Sequence, residues 1–459
     1  MNKEKNFTGG PILGPLLQFM IPILFALFLQ SMYGAVDLLV VGQFAESTDV
    51  SAVSTGAQIM HTITNVVAAF SLGITVLVGQ KIGERNPQMA GRIIGAGIFL
   101  FAVIGIVLTL LVPLGAGALA TLMNAPEEAF ELTKVYIRTC GAGLIIIIAY
   151  NLIGSIFRGL GDSVTPLVTV GIACVFNIAG DLLLVAVFHM GTFGAALATV
   201  GAQLVSVILS LLIIRRKKLP FTFGIRLIVP DGALMGNITR IGLPVALQDL
   251  LVGISFCVLL SIVNNISLTA SAGVGVSSKV TAFIMLIPSA FSQAVSTFVA
   301  QNEGAGRFDR SRKVLLYAIL CSIVSGVIMF YLAYFHGTML CGIFSSKEDV
   351  RAAGAEYLRA YGVDCLLTCF LFCFLGFFNG LGETGFVMIQ GIAGAFLVRI
   401  PFAYLMSRQE PVHLFRIGLA TPLSTIFQIT LCLLWLTVIS RRRRRLRNNM
   451  SESIREKEE

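Results

Sequence analysis

The sequence repeats itself once, at a fixed offset of 221 residues. Val78–Gln80 reappears as Val299–Gln301, and Phe157–Asp162 reappears as Phe378–Glu383 with the phenylalanine, the leucine and both glycines in place. Two distant anchors at one offset indicate a duplicated structural unit. Such a chain is predicted to fold as two similar halves with a central interface, an arrangement typical of membrane transporters.

Each half contains six long apolar stretches. Hydrophobic residues make up 56% of the 459 positions and charged residues 12%, against about 25% charged residues in a soluble domain. A helix needs about 20 apolar residues to cross the hydrocarbon core of a bilayer. The stretches are 14–42, 50–79, 91–113, 133–157, 163–188, 192–214, 237–263, 271–300, 312–335, 352–378, 384–406 and 413–440. We therefore expect an all-α polytopic membrane protein with twelve transmembrane helices.

The even number of helices in each half means that both halves enter the membrane in the same direction, as parallel repeats. We expect an N-terminal lobe over 1–214 and a C-terminal lobe over 237–440, each with six helices. The segment 215–236 carries a basic run and two prolines, and is predicted to be a cytoplasmic linker between the lobes. A basic, charged cytoplasmic tail is predicted over 441–459.

The net charge of +9 is explained by membrane topology rather than by nucleic-acid binding. If both termini are cytoplasmic, most of the 33 lysines and arginines fall on the cytoplasmic side, as the positive-inside rule requires. These residues would then face anionic lipid headgroups, and no nucleic acid is needed as a partner. The first apolar run is too long for a cleavable signal sequence, so it is predicted to be a spanning helix of a cell-membrane protein.

Two carboxylates of the first half, Asp37 and Asp181, fall inside predicted spans. An ionisable group at mid-membrane costs about 2.5–3.5 kcal/mol, which makes each aspartate a functional candidate. Counted from the cytoplasmic end, Asp37 lies about 33 Å and Asp181 about 26 Å up straight helices. Asn177, one turn from Asp181, and Thr199 in the sixth helix fall at a similar depth. All four are therefore predicted to lie in the outer half of the bilayer.

These oxygen-bearing side chains suit a proton or a hard monovalent cation. Two carboxylates close together in a low dielectric do not readily both ionise, so the pair would take up a proton or Na⁺. Neither histidine nor cysteine accompanies them, which argues against a transition metal. The alternative is that each aspartate is only a structural hydrogen-bonding group.

The second half has no copy of this cluster. At the offset of the repeat, the position equivalent to Asp37 is Val258 or Leu259, and the position equivalent to Asp181 is Phe402. Its own polar residues within the spans are Asp249, Lys279, Asp364 and Arg399. They mix charges, so they are predicted to form either structural ion pairs or a polar network used in substrate binding or gating. Pro22, inside the first helix, is either a hinge or a static kink.

The chain resembles the multidrug and toxic compound extrusion (MATE) family across all twelve helices. The motifs that carry the resemblance are Pro22 with Asp37, Val78–Gly83, Phe157–Asp162, Asn177–Asp181 and Gly194–Thr199. The acidic pair in the first lobe is similar to the DinF-type branch of the family. Asp249 and Asp364 lie in the helices that carry acidic residues in the NorM-type branch, but they do not match its motif.

The resemblance implies a V-shaped, two-lobed antiporter that exports cationic or amphipathic compounds in exchange for H⁺ or Na⁺. It places the coupling ion at Asp37, Asn177, Asp181 and Thr199, adds Asn151 to the site, and assigns a bend of the first helix to Pro22. No cofactor other than the ion is implied. A complete two-lobed unit needs no partner subunit, so a monomer is expected.

Three other functions are alternatives to export. A lipid-linked precursor flippase of the same superfamily is disfavoured because the interior of the first lobe is acidic. A membrane sensor is disfavoured because no sizeable soluble region is present in the sequence to pass on a signal. The motifs of metalloproteases and serine hydrolases do not occur, so an enzyme is not expected.

Overall fold

The computed structural model describes residues 7–217, 219–221 and 224–458, and this part of the chain is helical without any strand. Eleven helices are long and apolar enough to span a membrane, and a bent helix pair brings the number to twelve. The spans are α1 Leu13–Phe44, α2 Ser47–Gly83, α3 Pro87–Leu114, α4 Glu127–Gly159, α5 Val164–Val187, α6 Gly191–Arg216, α7 Gly232–Asn264, α8 Leu268–Gly304, α9 Phe308–Phe335, α10 Glu348–Leu381, α11 Thr384–Ser407 and α12 Leu414–Arg445. The predicted fold class is confirmed.

Five spans are interrupted, and one of them is α12, which breaks at Leu419 between Leu414–Gly418 and the segment that starts at Ala420. Helix α4 bends by 52° between its segments Phe130–Ala142 and Leu144–Gly159. Gly143 at the bend packs so closely on α6 that a Cβ atom there would lie 2.5 Å from the Val200 side chain. The other interruptions are a π-helical end of α5 at Leu182–Val187, a break of α8 at Met285, and a π-helical turn of α11 at Gly394–Arg399.

Short elements connect and extend the spans. Helices Ala116–Leu122 and Gly337–Gly342 follow α3 and α9, and a 3₁₀ turn, Ile225–Leu227, precedes α7. Helix α12 begins with Leu414–Gly418, and its main segment runs from Ala420 through Glu458. The basic tail predicted after residue 440 therefore continues the last helix.

The chain falls into two compact units. The first comprises 1–250, 285–321 and 375–388, and the second comprises 251–284, 322–374 and 389–459. The limits of the units fall within long helices such as α7 and α10. The predicted lobe boundaries at 214 and 237 therefore stay a prediction.

Each unit has its own apolar core. In the first unit, Val41, Val53 and Ile137 are fully buried in a cluster that joins α1, α2 and α4. In the second unit, Val263 and Ile417 belong to a cluster that joins α7 with α8, α10, α11 and α12. In a membrane bundle, such side chains stabilise the fold by packing closely against neighbouring helices. Small residues at the contacts allow the helix backbones to approach closely enough.

The nine cysteines are all free, and those of α10 mark one such close approach. Cys365, Cys369 and Cys373 are buried, and the Cys369 thiol donates to the backbone carbonyl of Ser322. A Cβ atom on Gly326 would lie 2.5 Å from the Cys369 sulfur. Cys369 therefore acts as a small packing residue between α9 and α10.

The sequence repeat is visible in the backbone of the first unit. Gly161 and Gly382 both have positive φ, at 82° and 83°, in turns with the same hydrogen bonds. Asp162 donates its N–H to Phe157, and Glu383 donates its N–H to Phe378. A positive φ favours glycine, which explains why both copies of the motif keep this residue.

The ends of α2 and α8 cross at a symmetric contact in the first unit. Gln301 donates its amide to the carbonyl of Gly159, and Gln80 donates to the carbonyl of Gly380. A Cβ atom on Gly83 would lie 1.9 Å from the carbonyl oxygen of Gln301. A Cβ atom on Gly304 would lie 1.8 Å from the carbonyl oxygen of Gln80. Neither glycine can be enlarged without separating the two helices.

An N-terminal segment, Phe7–Pro11, is held against α8 and α9. Phe7 is buried and stacks on Phe298 with ring centroids 3.9 Å apart. Arg310 donates to the carbonyls of Phe7, Gly9, Gly10 and Pro11. These contacts order the segment before α1 begins.

Candidate functional site

The structure brings four of the predicted site residues together inside the first unit. Asp37 comes from α1, Asn177 and Asp181 from α5, and Thr199 from α6. Helices α5 and α6 can approach because Gly180 lies against Ala198, where a Cβ atom would be 3.1 Å from the Ala198 methyl group. We call these four side chains the acidic cluster.

Only one hydrogen bond joins two members of the acidic cluster. The Thr199 hydroxyl donates to Asp37 Oδ2 over 3.0 Å, while the side chains of Asp181 and Asn177 also lie next to Asp37. Asp37 is 3% exposed, and Asn177 and Asp181 are fully buried. Asp37 Oδ1 and both side-chain oxygens of Asp181 have no hydrogen-bond partner among the described protein atoms, and the same holds for the Asn177 amide.

The acidic cluster has no positively charged ion-pair partner among the described residues. The neighbours that interact electrostatically with Asp37 include Tyr33 of α1 and, from α4, Tyr136 and Cys140. Among the described residues, no lysine, arginine or histidine forms an ion pair with Asp37 or Asp181. Two facing carboxylates in a buried place are therefore left without a compensating positive charge.

The backbone next to Asp181 departs from a regular helix. Asp181 is the last α-helical residue of α5, and the π-helical turn Leu182–Val187 follows at once. Such turns are common at functional sites because they free backbone groups and redirect side chains. The apolar sequence of this turn gives no signal from which the sequence analysis could have predicted it.

A second aspartate, Asp49, fixes the start of α6 and was missed by the sequence analysis. Its Oδ1 accepts hydrogen bonds from the N–H of Thr192 at 2.8 Å and from the Thr192 hydroxyl at 2.6 Å. Gly191 has a φ of 51°, and a Cβ atom there would lie 2.6 Å from Asp49 Oδ1. Asp49 thereby positions the helix that carries Thr199.

Asn151 has its polar contacts elsewhere in the first unit. Its amide donates to the carbonyl of Ile147, and its side chain lines an internal pocket together with Gln30, Tyr150 and Arg158. The pocket is not lined by any member of the acidic cluster. The structure therefore shows no contact between Asn151 and the four residues that it was grouped with.

Pro22 lies within the continuous helix α1, beside the buried residues Met20 and Ile23. Its neighbour Ile23 also lines the pocket that contains Asn151. A bend at Pro22 stays a prediction.

The second unit has its own buried polar site, around Asp364 and Arg399. Arg399 is 5% exposed, donates to the Ser255 hydroxyl over 2.8 Å, and stacks on Phe256 with its guanidinium carbon 4.1 Å from the ring centroid. Asp364 is 1% exposed and interacts electrostatically with Arg399 and with Tyr361 of α10. The two charged groups are neighbours, but no guanidinium nitrogen of Arg399 lies within 4.0 Å of a carboxylate oxygen of Asp364.

The other two polar residues predicted for the second half do not join this site. Asp249 belongs to the first unit and Lys279 to the second, and both side chains are exposed. Neither forms a hydrogen bond or an ion pair with any residue in the described part of the chain.

The described residues contain no group of three or more histidine, cysteine or acidic side chains that could hold a metal ion. The donors of the acidic cluster are instead two carboxylates, one amide and one hydroxyl. Such oxygen donors suit a proton or an alkali cation.

Comparison with known proteins places this arrangement in a family. The MatE family model matches the chain twice, over 22–183 and 244–405, at nearly the offset of the internal repeat. The probable multidrug resistance protein YoeA of Bacillus subtilis (strain 168) is 24% identical over 433 residues, which cover 91% of each chain.

Solved structures share the fold over nearly the whole chain. One is described as the outward-facing conformation of a multidrug resistance MATE family transporter of the MOP superfamily, with 21% identity and a TM-score of 0.88. Another is a MOP superfamily transporter from Pyrococcus furiosus Vc1 (DSM3638), described as having a binding pocket of reversed polarity that suggests a different function, with the same identity and TM-score. Each alignment covers 95% of this chain and 97% of the other. Because the two family matches span most of the sequence, this chain belongs to the MatE family, the multidrug and toxic compound extrusion transporters.

Proposed function

We propose that this protein is a secondary antiporter that exports cationic or amphipathic compounds in exchange for H⁺ or Na⁺. The observation that carries the proposal is the acidic cluster, where Asp37 faces Asp181 in a buried site without a basic partner. A buried charge is costly unless it is neutralised, so a site with two carboxylates takes up a positive charge strongly. A proton or Na⁺ would supply it.

The coupling follows from competition for this negative charge. When the ion binds, the acidic cluster loses its attraction for a cationic substrate, and the substrate is released. When the ion leaves, the site regains its affinity for the next substrate. Antiport requires only that ion and substrate favour different states of the carrier, and the coupling is then reciprocal.

Helix α1 is the element through which ion binding would act on the rest of the carrier. It carries Asp37, and Pro22 lies 15 residues earlier on the same continuous helix, which corresponds to about four turns. Proline removes one backbone hydrogen bond, which lowers the cost of a local bend. Neutralisation of Asp37 would let α1 repack on α5 and bend at Pro22.

The substrate class and the location are part of the proposal. YoeA and the solved MATE transporter are named for multidrug resistance, and an acidic interior suits cationic compounds. The position of the acidic pair in the first half supports the DinF-type branch. The distribution of basic residues supports a cell-membrane protein with both termini in the cytoplasm.

The test uses purified protein in liposomes with a fluorescent cationic dye and an imposed gradient of either pH or Na⁺. Dye movement driven by one of the gradients, and lost in Asp37→Asn, would support antiport and identify the ion. Asp309→Asn, which changes an exposed carboxylate of the same unit, is the matched control and should transport normally.

Two results would contradict the proposal. One is normal gradient-driven transport by Asp37→Asn. The other is a folded, correctly inserted wild-type protein that moves no cationic dye under either gradient. In the second case, translocation of a lipid-linked anionic compound by the same liposomes would favour the flippase alternative.

A further inference from the structure

The pocket lined by Asn151 is also lined by a positively charged side chain, that of Arg158 near the end of α4. The pocket lies wholly within the first unit, and its polar lining includes Gln30, Tyr150, Ser163 and Gln293. Its volume is about 40 Å³, far less than the roughly 300–1,000 Å³ of a site for a drug-sized ligand. This space suits an ion or one small functional group.

Arg158 has no carboxylate partner among the described residues. Its guanidinium donates to the Ser155 hydroxyl over 2.8 Å, and no ion pair is formed. The acid nearest in sequence, Asp162, accepts hydrogen bonds from Lys217 and from the backbone N–H groups of Val164 and Thr165. The charge of Arg158 is therefore left uncompensated by the protein.

Two hydroxyl groups of the pocket have hydrogen atoms to donate. The Tyr150 oxygen accepts a hydrogen bond from the Gln30 amide, which leaves the phenolic O–H as a donor. The Ser163 side chain is 2% exposed and has no hydrogen-bond partner in the described structure.

The position of Ser163 makes its unpartnered hydroxyl informative. Ser163 is the N-cap residue of α5, where a serine normally accepts a hydrogen bond from the helix backbone. Here the carboxylate of Asp162 accepts those hydrogen bonds instead. The Ser163 hydroxyl is thereby released from capping while it lines the pocket.

We propose that this pocket binds a small monovalent anion, either chloride or a carboxylate group, between Arg158, Tyr150 and Ser163. A guanidinium and two O–H donors, with no carboxylate in the lining, form a site of the opposite polarity to the acidic cluster. An anion there would neutralise Arg158 and give the Ser163 hydroxyl an acceptor.

This site is separate from the proposed coupling site. Gln30 of the pocket and Asp37 lie seven residues apart on α1, which corresponds to about 10 Å along a helix. The inference does not depend on antiport, because anion binding is measured without a gradient and without a drug.

The test measures the thermal unfolding temperature of the purified protein as chloride or acetate replaces a bulky organic sulfonate at constant Na⁺ and pH. We expect a saturable rise in the wild type, and Arg158→Gln should raise the apparent dissociation constant at least tenfold. Arg312→Gln, which changes an exposed arginine of the same unit, should titrate like the wild type.

Ser163→Ala and Tyr150→Phe each remove one donor and serve if Arg158→Gln does not fold. Each should weaken binding severalfold while the protein stays folded. Saturation by chloride alone would identify an inorganic anion site, and saturation by acetate would identify a carboxylate site. No saturable response in the wild type, or equal responses in the wild type and all three pocket variants, would overturn the proposal.

Discussion

The two units solve the problem of buried charge in opposite ways. In the first unit, Asp37 and Asp181 face each other with only the Thr199 hydroxyl as a standard hydrogen-bond donor. In the second unit, the carboxylate of Asp364 has the guanidinium of Arg399 as a neighbour, and Arg399 also contacts Ser255 and Phe256. The first site carries uncompensated negative charge, while the second contains both signs.

This difference indicates that the acidic cluster of the first unit exchanges a ligand, whereas the charges of Asp364 and Arg399 in the second unit have a structural role. Mixed charges satisfy one another, so removal of either partner should damage the fold. Like charges repel, so removal of one should relieve the protein while removing its function. The two halves of the repeat thus share a similar backbone but differ in their buried charges, which are acidic in the first half and of both signs in the second.

The largest effect is expected for transport. Asp181→Asn should reduce gradient-driven dye export to the level of empty liposomes. The reason is that the proposed coupling ion is bound by the negative charge of both carboxylates, and the variant removes one of them. The variant should fold, since it removes repulsion in a buried site. Initial rates of dye movement measure this, and normal export by Asp181→Asn would show that the two carboxylates do not act as a pair.

The symmetric contact provides the next largest effect, and it should be equal in both halves. Gly83→Ala and Gly304→Ala each drive a methyl group into a carbonyl oxygen of the crossing helix, at a cost of about 3 kcal/mol or more. Fluorescence-detected size exclusion after heating measures the loss of folded protein. Gly236→Ala, where a Cβ atom meets open space, is the control, and a large difference between Gly83→Ala and Gly304→Ala would contradict the symmetry.

A smaller change, opposite in sign between the units, is expected for stability. Asp364→Asn should lower the free energy of unfolding by about 1–3 kcal/mol, because it leaves the Arg399 charge buried without its acidic neighbour. Asp37→Asn should leave stability unchanged or raise it. Thermal unfolding of both variants measures the contrast, and the double variant Asp364→Asn/Arg399→Gln should lose less than the sum of its single changes.

The smallest effect concerns equivalent turns that connect the helices. Burial tends to raise the pKa of Asp162, but hydrogen bonds from Lys217 and Thr165 outweigh it and hold this pKa below its usual value. The resulting stabilisation is present above pH of about 4 and is lost as the pH falls further, when the carboxylate becomes protonated. Asp162→Asn should therefore cost about 1 kcal/mol at pH 7 and progressively less below pH 4.

Glu383 occupies the equivalent position in the second half and gives the control. Its carboxylate makes no hydrogen bond with the described residues, so Glu383→Gln should change stability by less than about 0.5 kcal/mol at either pH. Chemical unfolding at several pH values measures both variants. Equal losses for Asp162→Asn and Glu383→Gln would show that the hydrogen bonds at Asp162 contribute nothing.

The sequence was sufficient to predict the spans and the clustering of four polar residues. Apolar length alone located every long helix, because the bilayer sets the length that a spanning helix needs. Counting depth along the helices placed both Asp37 and Asp181 in the outer half of the bilayer, and the structure brings the two side chains next to each other. The repeated motif, Phe157–Asp162 and Phe378–Glu383, forms matching turns in the structure, with Gly161 and Gly382 at positive φ.

Features that depend on contacts between distant segments could not be predicted. The family resemblance groups Asn151 with the acidic cluster, whereas its amide donates to the carbonyl of Ile147 and its side chain lines a pocket that Arg158 also lines. The role of Asp49 depends on the approach of α6, which no local pattern encodes. The bend at Gly143 depends in the same way on the position of Val200.

The N-terminal segment has a consequence for how the protein is made. Phe7 has its stacking partner at Phe298, and its carbonyl accepts a hydrogen bond from Arg310, 303 positions later in the chain. During synthesis, Phe7–Pro11 are made before α8 and α9, so they can form these contacts only after α8 and the start of α9 have been inserted. A fragment that ended after α6 would keep the edge contact of Phe7 with Phe19 of α1 but would lack Phe298 and Arg310. The segment Phe7–Pro11 is therefore among the last parts of the described structure to complete its contacts.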